Sequence, residues 1–220
     1  SAASVIVPDC CYWTSDLPFT YDLDIELRSG DEPWAALKET ISLPWLKLHQ
    51  GKLYRSAKRW APRMVRLELP PMQSEQERAA LPAWLEAVRQ HDLALVLSLA
   101  EASNELLIAC RRVGVPVAVE GADIAPHQLA AWENSGAVFL LLHPAVASPD
   151  THLLIAHPAP ENAGANWECW EVQQRSEATG VGRVAARRGT FHTPAEARKA
   201  CDALQADSAG STDWLGYLIH

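Results

Sequence analysis

Short apolar runs alternate with amphipathic stretches along most of the chain. From residue 64 onward, segments rich in Val, Leu and Ile occupy 64–69, 94–99, 115–119, 137–142 and 152–156. Hydrophobicity this continuous suits strands buried on both faces, as in a parallel sheet covered by helices. Helical stretches with explicit start and stop signals lie between the runs. Ser74 with Glu77 spells a capping box, and the helix it opens carries Leu81, Trp84, Leu85 and Val88 on one face. Residues 103–112 predict a second helix ended by Gly114, and Pro126 starts a third that Gly136 stops. Thr193, Pro194 and Glu196 supply an N-cap, a first-turn proline and a capping glutamate ahead of Ala197, Ala200 and Leu204.

The two ends follow the same rhythm less regularly. Val5–Val7 and Tyr21–Arg28 are strand candidates, the second alternating Leu23, Ile25 and Leu27 with Asp22, Asp24 and Glu26. Residues 33–48 read as helix interrupted at Pro44, and 163–178 read as helix, with a strand pair as the alternative. Gly182–Arg188 and Trp214–Ile219 supply two more strands. With 21–28 as the first strand, eight strands alternate with helices, which implies right-handed crossovers and a parallel sheet. The expected fold class is therefore α/β: a small, TIM-barrel-like (β/α)8 barrel forming a single domain over 1–220. An open doubly wound sheet is the alternative. No GxGxxG follows the first strand and no GxxxxGK[ST] occurs, so no nucleotide-cofactor cradle is expected.

Composition narrows the partners. A formal charge of −8 argues against a nucleic-acid or anionic-membrane surface, since both require clustered Lys and Arg. The five cysteines form no CxxC pair and read as reduced thiols of a cytoplasmic protein. No basic-then-apolar leader and no apolar run of about 18 residues occurs, so neither a signal peptide nor a membrane span is expected. Nine tryptophans, spread from Trp13 to Trp214, read mainly as core.

Candidate chemistry gathers where strands end, because ligands of parallel α/β folds bind at the carboxyl ends of strands. Those ends carry Glu68, Ser98 with Glu101, Glu120, His143, His157 and His220. Glu68, Glu120, His143 and His157 are the candidate catalytic set, as general acid and base. Glu120, His143 and His157 could alternatively hold a divalent metal, with a position left for substrate. Polar residues also mark where any strand leaves a core, and the prolines after His143 and His157 explain turns there. A second cluster, Arg187, Arg188 and Gly189 with His192 nearby, precedes the capped helix from Thr193 and suits an anion. The expected function is an enzyme (a lyase, isomerase or metal-assisted hydrolase) acting on a small metabolite that bears phosphate or carboxylate. The alternative is a catalytically inactive, barrel-derived binding or scaffold subunit of a larger complex, homo- or hetero-oligomeric.

Overall fold

A computed structural model describes residues 7–43, 46–72, 74–142, 151, 153–159, 166–174, 182–209 and 214–220. The chain begins with an antiparallel hairpin, β1 (Tyr21–Ser29) and β2 (Glu32–Ile41), turning at Gly30 with φ +65°. A small antiparallel meander follows: β3 (Leu46–His49), β4 (Lys52–Arg55) and β5 (Lys58–Arg59). Then come β6 (Arg63–Val65), α1 (Glu75–Gln90), β7 (Ala94–Ser98), α2 (Asn104–Val113), β8 (Val117–Glu120), α3 (Pro126–Ser135) and β9 (Val138–Leu142). The last elements are β10 (Leu154–Pro158), β11 (Glu168–Gln174), β12 (Gly182–Arg187), α4 (Pro194–Ser208) and β13 (Gly216–Ile219).

Strands β6 to β13 close into an eight-stranded barrel in sequence order, β13 pairing with β6. All neighbours are parallel except β11, which runs antiparallel to both β10 and β12. The helices start where local chemistry dictates. Ser74 Oγ accepts from the Glu77 N–H at 3.2 Å while Glu77 Oε2 accepts from the Ser74 N–H at 2.8 Å. Ser103 Oγ caps α2 by accepting from the Leu106 N–H, and Thr193 Oγ1 caps α4 by accepting from the Glu196 N–H. Gly114 ends α2 at φ +91°, and a Cβ there would meet the Ser15 carbonyl oxygen at 2.4 Å.

The architecture corrects the expected fold class. It is neither a TIM-barrel-like (β/α)8 barrel nor an open doubly wound sheet, but a β-rich, mixed barrel with four helices among the described residues. Three segments account for the difference. Residues 21–28 form a strand outside the barrel, paired only with β2 in the register that joins Ile25 to Leu37. Residues 33–43 and 46–48 are not helix; they supply most of β2 and then β3. Residues 163–178 read as helix ahead of a strand pair, and 168–174 are strand. There Trp170 and Val172 alternate with Glu171 and Gln173, and this period of two puts both apolar side chains inside the barrel. Val7 lies outside any strand, and Val5 and Ile6 fall outside the described residues.

Two apolar layers hold the barrel. The inner one contains Met64, Val96, Leu140, Leu154, Trp170 and Leu218, and the outer one packs Leu95, Val117 and Ile219 against Leu85, Leu106 and Leu204 of the helices. Leu48 and Leu53 of the meander join the inner layer, with Trp60 packed against it. They lie at the amino ends of the parallel strands: Leu48 touches the start of β12 at Gly182, and Trp60 meets Phe139 of β9 edge-on at 4.9 Å. The meander thus plugs one end. Of the tryptophans, Trp13, Trp132, Trp170 and Trp214 are buried, Trp60, Trp84 and Trp167 are half-buried, and Trp34 is exposed; Trp45 lies outside the described residues.

Candidate functional site at the barrel mouth

Alternation along the strands decides which side chains reach the barrel interior. Ala94 and Val96 face inward, so Ser98 does too; Ala118 brings Glu120, Leu218 brings His220, and Met64 brings Arg66. The apolar interior thus gives way to ionisable groups at the carboxyl ends of the parallel strands. There the Arg66 guanidinium donates to Glu120 Oε2. Its other terminal nitrogen lies 3.9 Å from Glu101 Oε2. That Glu101 oxygen accepts from the Ser98 N–H at 2.7 Å and from its hydroxyl at 2.8 Å. His220 Nδ1 stands 3.9 Å from Glu120 Oε1, and its ring meets Trp170 edge-on at 4.9 Å.

The backbone fixes these positions. Ser98 and Glu120 are register partners, the Leu99 N–H donates to the Glu120 carbonyl, and the Gly121 N–H donates to the Leu142 carbonyl. Behind Glu120 there is no room for a side chain at Gly121, where a Cβ would meet Leu99 at 2.3 Å. The Arg66 N–H donates to the Ile219 carbonyl and the His220 N–H to the Arg187 carbonyl. The cluster remains open to water: the side chains of Arg66, Glu120 and His220 are 26, 27 and 12 % exposed.

The residues singled out in the sequence are distributed as follows. Glu120 lies at the centre of the mouth. Glu68 is exposed, and its Oε2 is 2.7 Å from His192 Nδ1. His157 follows Ala156, an inner-layer residue, and so takes the outward side of β10, opposite Glu171 in register. His143 lies outside the described residues. Among the described residues, no three of His, Cys, Asp and Glu gather as a metal site. Each basic member of the second cluster already faces a carboxylate. Arg187 donates to Asp207 at 2.7 Å and to the Asn166 carbonyl, Arg188 lies 3.7 Å from Glu168, and His192 holds Glu68. The Gly189 N–H donates to the His220 carbonyl. Arg66 went unread in the sequence because it interrupts an apolar run; its place two residues after inward-facing Met64 was the available signal.

Away from the mouth, burial pushes the thiols of Cys110 and Cys201 up to about 12. All five cysteines are free, and Cys110, Cys169 and Cys201 are buried. No helix among the described residues is long and apolar enough to cross a membrane.

Comparison with known proteins adds little to this geometry. No family model matches the sequence, and no curated protein matches it. Among solved structures, the chain is similar to a glycosyl hydrolase family 2 member from Bacteroides cellulosilyticus (16% identity, TM-score 0.49, 64% of this chain and 22% of that one). It is also similar to the Parabacteroides merdae β-glucuronidase with glycerol in its active site (15% identity, TM-score 0.46, 63% and 20%). A third is the Amycolatopsis orientalis exo-chitosanase (12% identity, TM-score 0.46, 60% and 19%). The chain spans about a fifth of the length of these proteins, and likenesses this weak carry no argument about its fold or activity.

Proposed function

We propose that the barrel mouth binds a small metabolite carrying a hydroxyl group and a carboxylate or phosphate, and acts on it by proton transfer. The observation that carries this reading is the arrangement of Glu120. One carboxylate oxygen is bonded to Arg66, while the other faces His220 Nδ1 at 3.9 Å, too far for a direct hydrogen bond. A ligand oxygen seated between Oε1 and Nδ1 reaches both at hydrogen-bond length. Glu120 then acts as general base, Arg66 orients it, and His220 contacts the same oxygen. The acidic group of the ligand meets Arg188, whose side chain is mostly exposed and whose guanidinium lies 3.7 Å from Glu168. Proton transfer at a hydroxyl or its adjacent carbon is the chemistry of lyases and isomerases. The free, largely buried thiols support a reducing compartment such as the cytoplasm.

Ligand-observed NMR with panels of hydroxy acids, sugar phosphates and uncharged polyols tests the reading. Binding of an acidic, hydroxyl-bearing member is expected, together with exchange of the proton on its hydroxyl-bearing or adjacent carbon for solvent deuterium. Glu120→Gln should abolish exchange and spare binding, whereas removing the guanidinium with Arg188→Gln should weaken binding. Binding of polyols alone would remove Arg188 from the site, and no binding from any panel would refute the proposal.

A further inference from the structure

Hairpin β1–β2 is tied to the molecule at its base, where the Arg111 guanidinium donates to the Thr40 carbonyl at 2.7 Å. Beyond the base every residue from 24 to 39 is exposed. Register divides the arm into two faces. Asp22 and Asp24 lie opposite Thr40 and Lys38 on one, where Lys38 Nζ reaches Asp24 at 3.0 Å. On the other, Ile25 lies opposite Leu37 and Leu27 opposite Ala35. Solvent suits the first face and not the second. Ile25, Leu27 and Leu37 are 41, 51 and 52 % exposed, and Trp34, the extra residue at the bulge beside Ala35, is 78 % exposed. A two-stranded hairpin is marginally stable in water without a further layer on its apolar face. Large exposed apolar patches mark contact surfaces.

We propose that this face packs against the same face of a second copy, joining two chains about a two-fold axis through their hairpins. The area fits. These four side chains expose roughly 400 Å² per copy, or about 800 Å² for two. That is close to the apolar share, about 65%, of a homodimer interface at the smaller end of the ~1,200–2,000 Å² range. A two-fold interface also needs one self-complementary patch, which the cluster of Ile25, Leu27, Trp34 and Leu37 supplies, with Glu39 of the same face at its margin. The charges stay out of its centre. The arm carries Asp22, Asp24, Glu26, Asp31, Glu32 and Glu39 against Arg28 and Lys38. Asp22, Asp24 and Glu26 point away from the apolar face, and Glu39 lies toward the base. The two acidic arms repel across the closed faces, and salt screens that repulsion.

Sedimentation velocity on the 220-residue chain, from about 1 to 200 µM in 50 and 500 mM NaCl, tests the proposal in the range where an interface of this size equilibrates. A reversible monomer–dimer equilibrium is expected, with the dimer fraction rising with both concentration and salt. Leu37→Glu should remain monomeric throughout, and Trp34→Glu should weaken association at least ~10-fold. At a concentration where the unaltered chain is monomeric, both should match its circular dichroism and melting temperature, because the positions are exposed. A monomer at every concentration would overturn the proposal. So would a dimer that Leu37→Glu leaves intact, or one that salt dissociates, because charge pairs and not the apolar face would then hold the two copies.

Discussion

Replacing Arg66 with Met puts the polar mouth to its most direct energetic test. Methionine keeps most of the side-chain volume and removes the cation placed between Glu120 and Glu101. Two unit charges about 4 Å apart interact by ~4 kcal/mol at an effective dielectric constant near 20. The partners are about a quarter to a third exposed, so that figure must be discounted for solvent. Fully exposed pairs contribute ~0.2–1 kcal/mol, and breaking a fully buried pair costs ~3–5 kcal/mol. Arg66→Met should therefore cost about 2 kcal/mol, and Glu120→Gln about 1 kcal/mol. The double variant should cost less than their sum, by about 1 kcal/mol, because the second change removes a carboxylate already left without its partner. Urea unfolding followed by circular dichroism reads these values directly: with a slope near 2 kcal/mol per molar, Arg66→Met moves the midpoint down by about 1 M. A cost below about 0.5 kcal/mol for Arg66→Met, or strict additivity in the double variant, would show that the mouth is solvated well enough for its charges to be independent.

Four further outcomes follow from packing and burial. Leu48→Ala removes a fully buried plug residue at the closed end and should cost about 2–4 kcal/mol in the same unfolding assay. Gly121→Ala forces a methyl group onto Leu99 behind Glu120; a loss of about 1–3 kcal/mol in the same assay is expected, with weaker ligand retention by the mouth. In the native chain, iodoacetamide at pH 8 should label Cys10 and Cys11 but spare Cys110, Cys169 and Cys201, as peptide mass mapping would show. The same burial makes stability pH-dependent. The folded thiols of Cys110 and Cys201 titrate near 12 against an ordinary value of 9.0, so the unfolded chain loses these protons first. Their contribution is complete below pH 9 and is lost between pH 9 and 12, by about 1.4 kcal/mol per unit for each thiol. Chemical denaturation across that window should flatten when both are replaced by Ala.

Legibility of the fold tracked the locality of the interactions. Ser74 with Glu77, Ser103 with Gly114, and Thr193 with Pro194 act within a few residues, and all three helices stand where these signals put them. The apolar runs at 94–99 and 137–142 likewise became β7 and β9. Which strands close the barrel was not readable, because that depends on which distant strands pair. The reversal of β11 was hidden by Trp167, Trp170 and Glu171, whose three- and four-residue spacings mimic a helix until the alternation of Trp170 and Val172 is weighed. Tyr21–Arg28 did show a strand, but nothing in its sequence said that its partner would be β2. The site followed the same divide. Glu120, Ser98 and Glu101 were visible as strand ends, whereas Arg66 matters only once β6 and β8 share an interior. His157 shows the converse: position along a strand is legible, but one residue of register decides between the two faces of the wall.

Plugging one end of the barrel with Leu48, Leu53 and Trp60 gives it the form of a cup. Substrate and product of any reaction at Glu120 must then use the same opening, so each blocks the other's passage. Kinetically, that is the condition for product inhibition competitive with substrate.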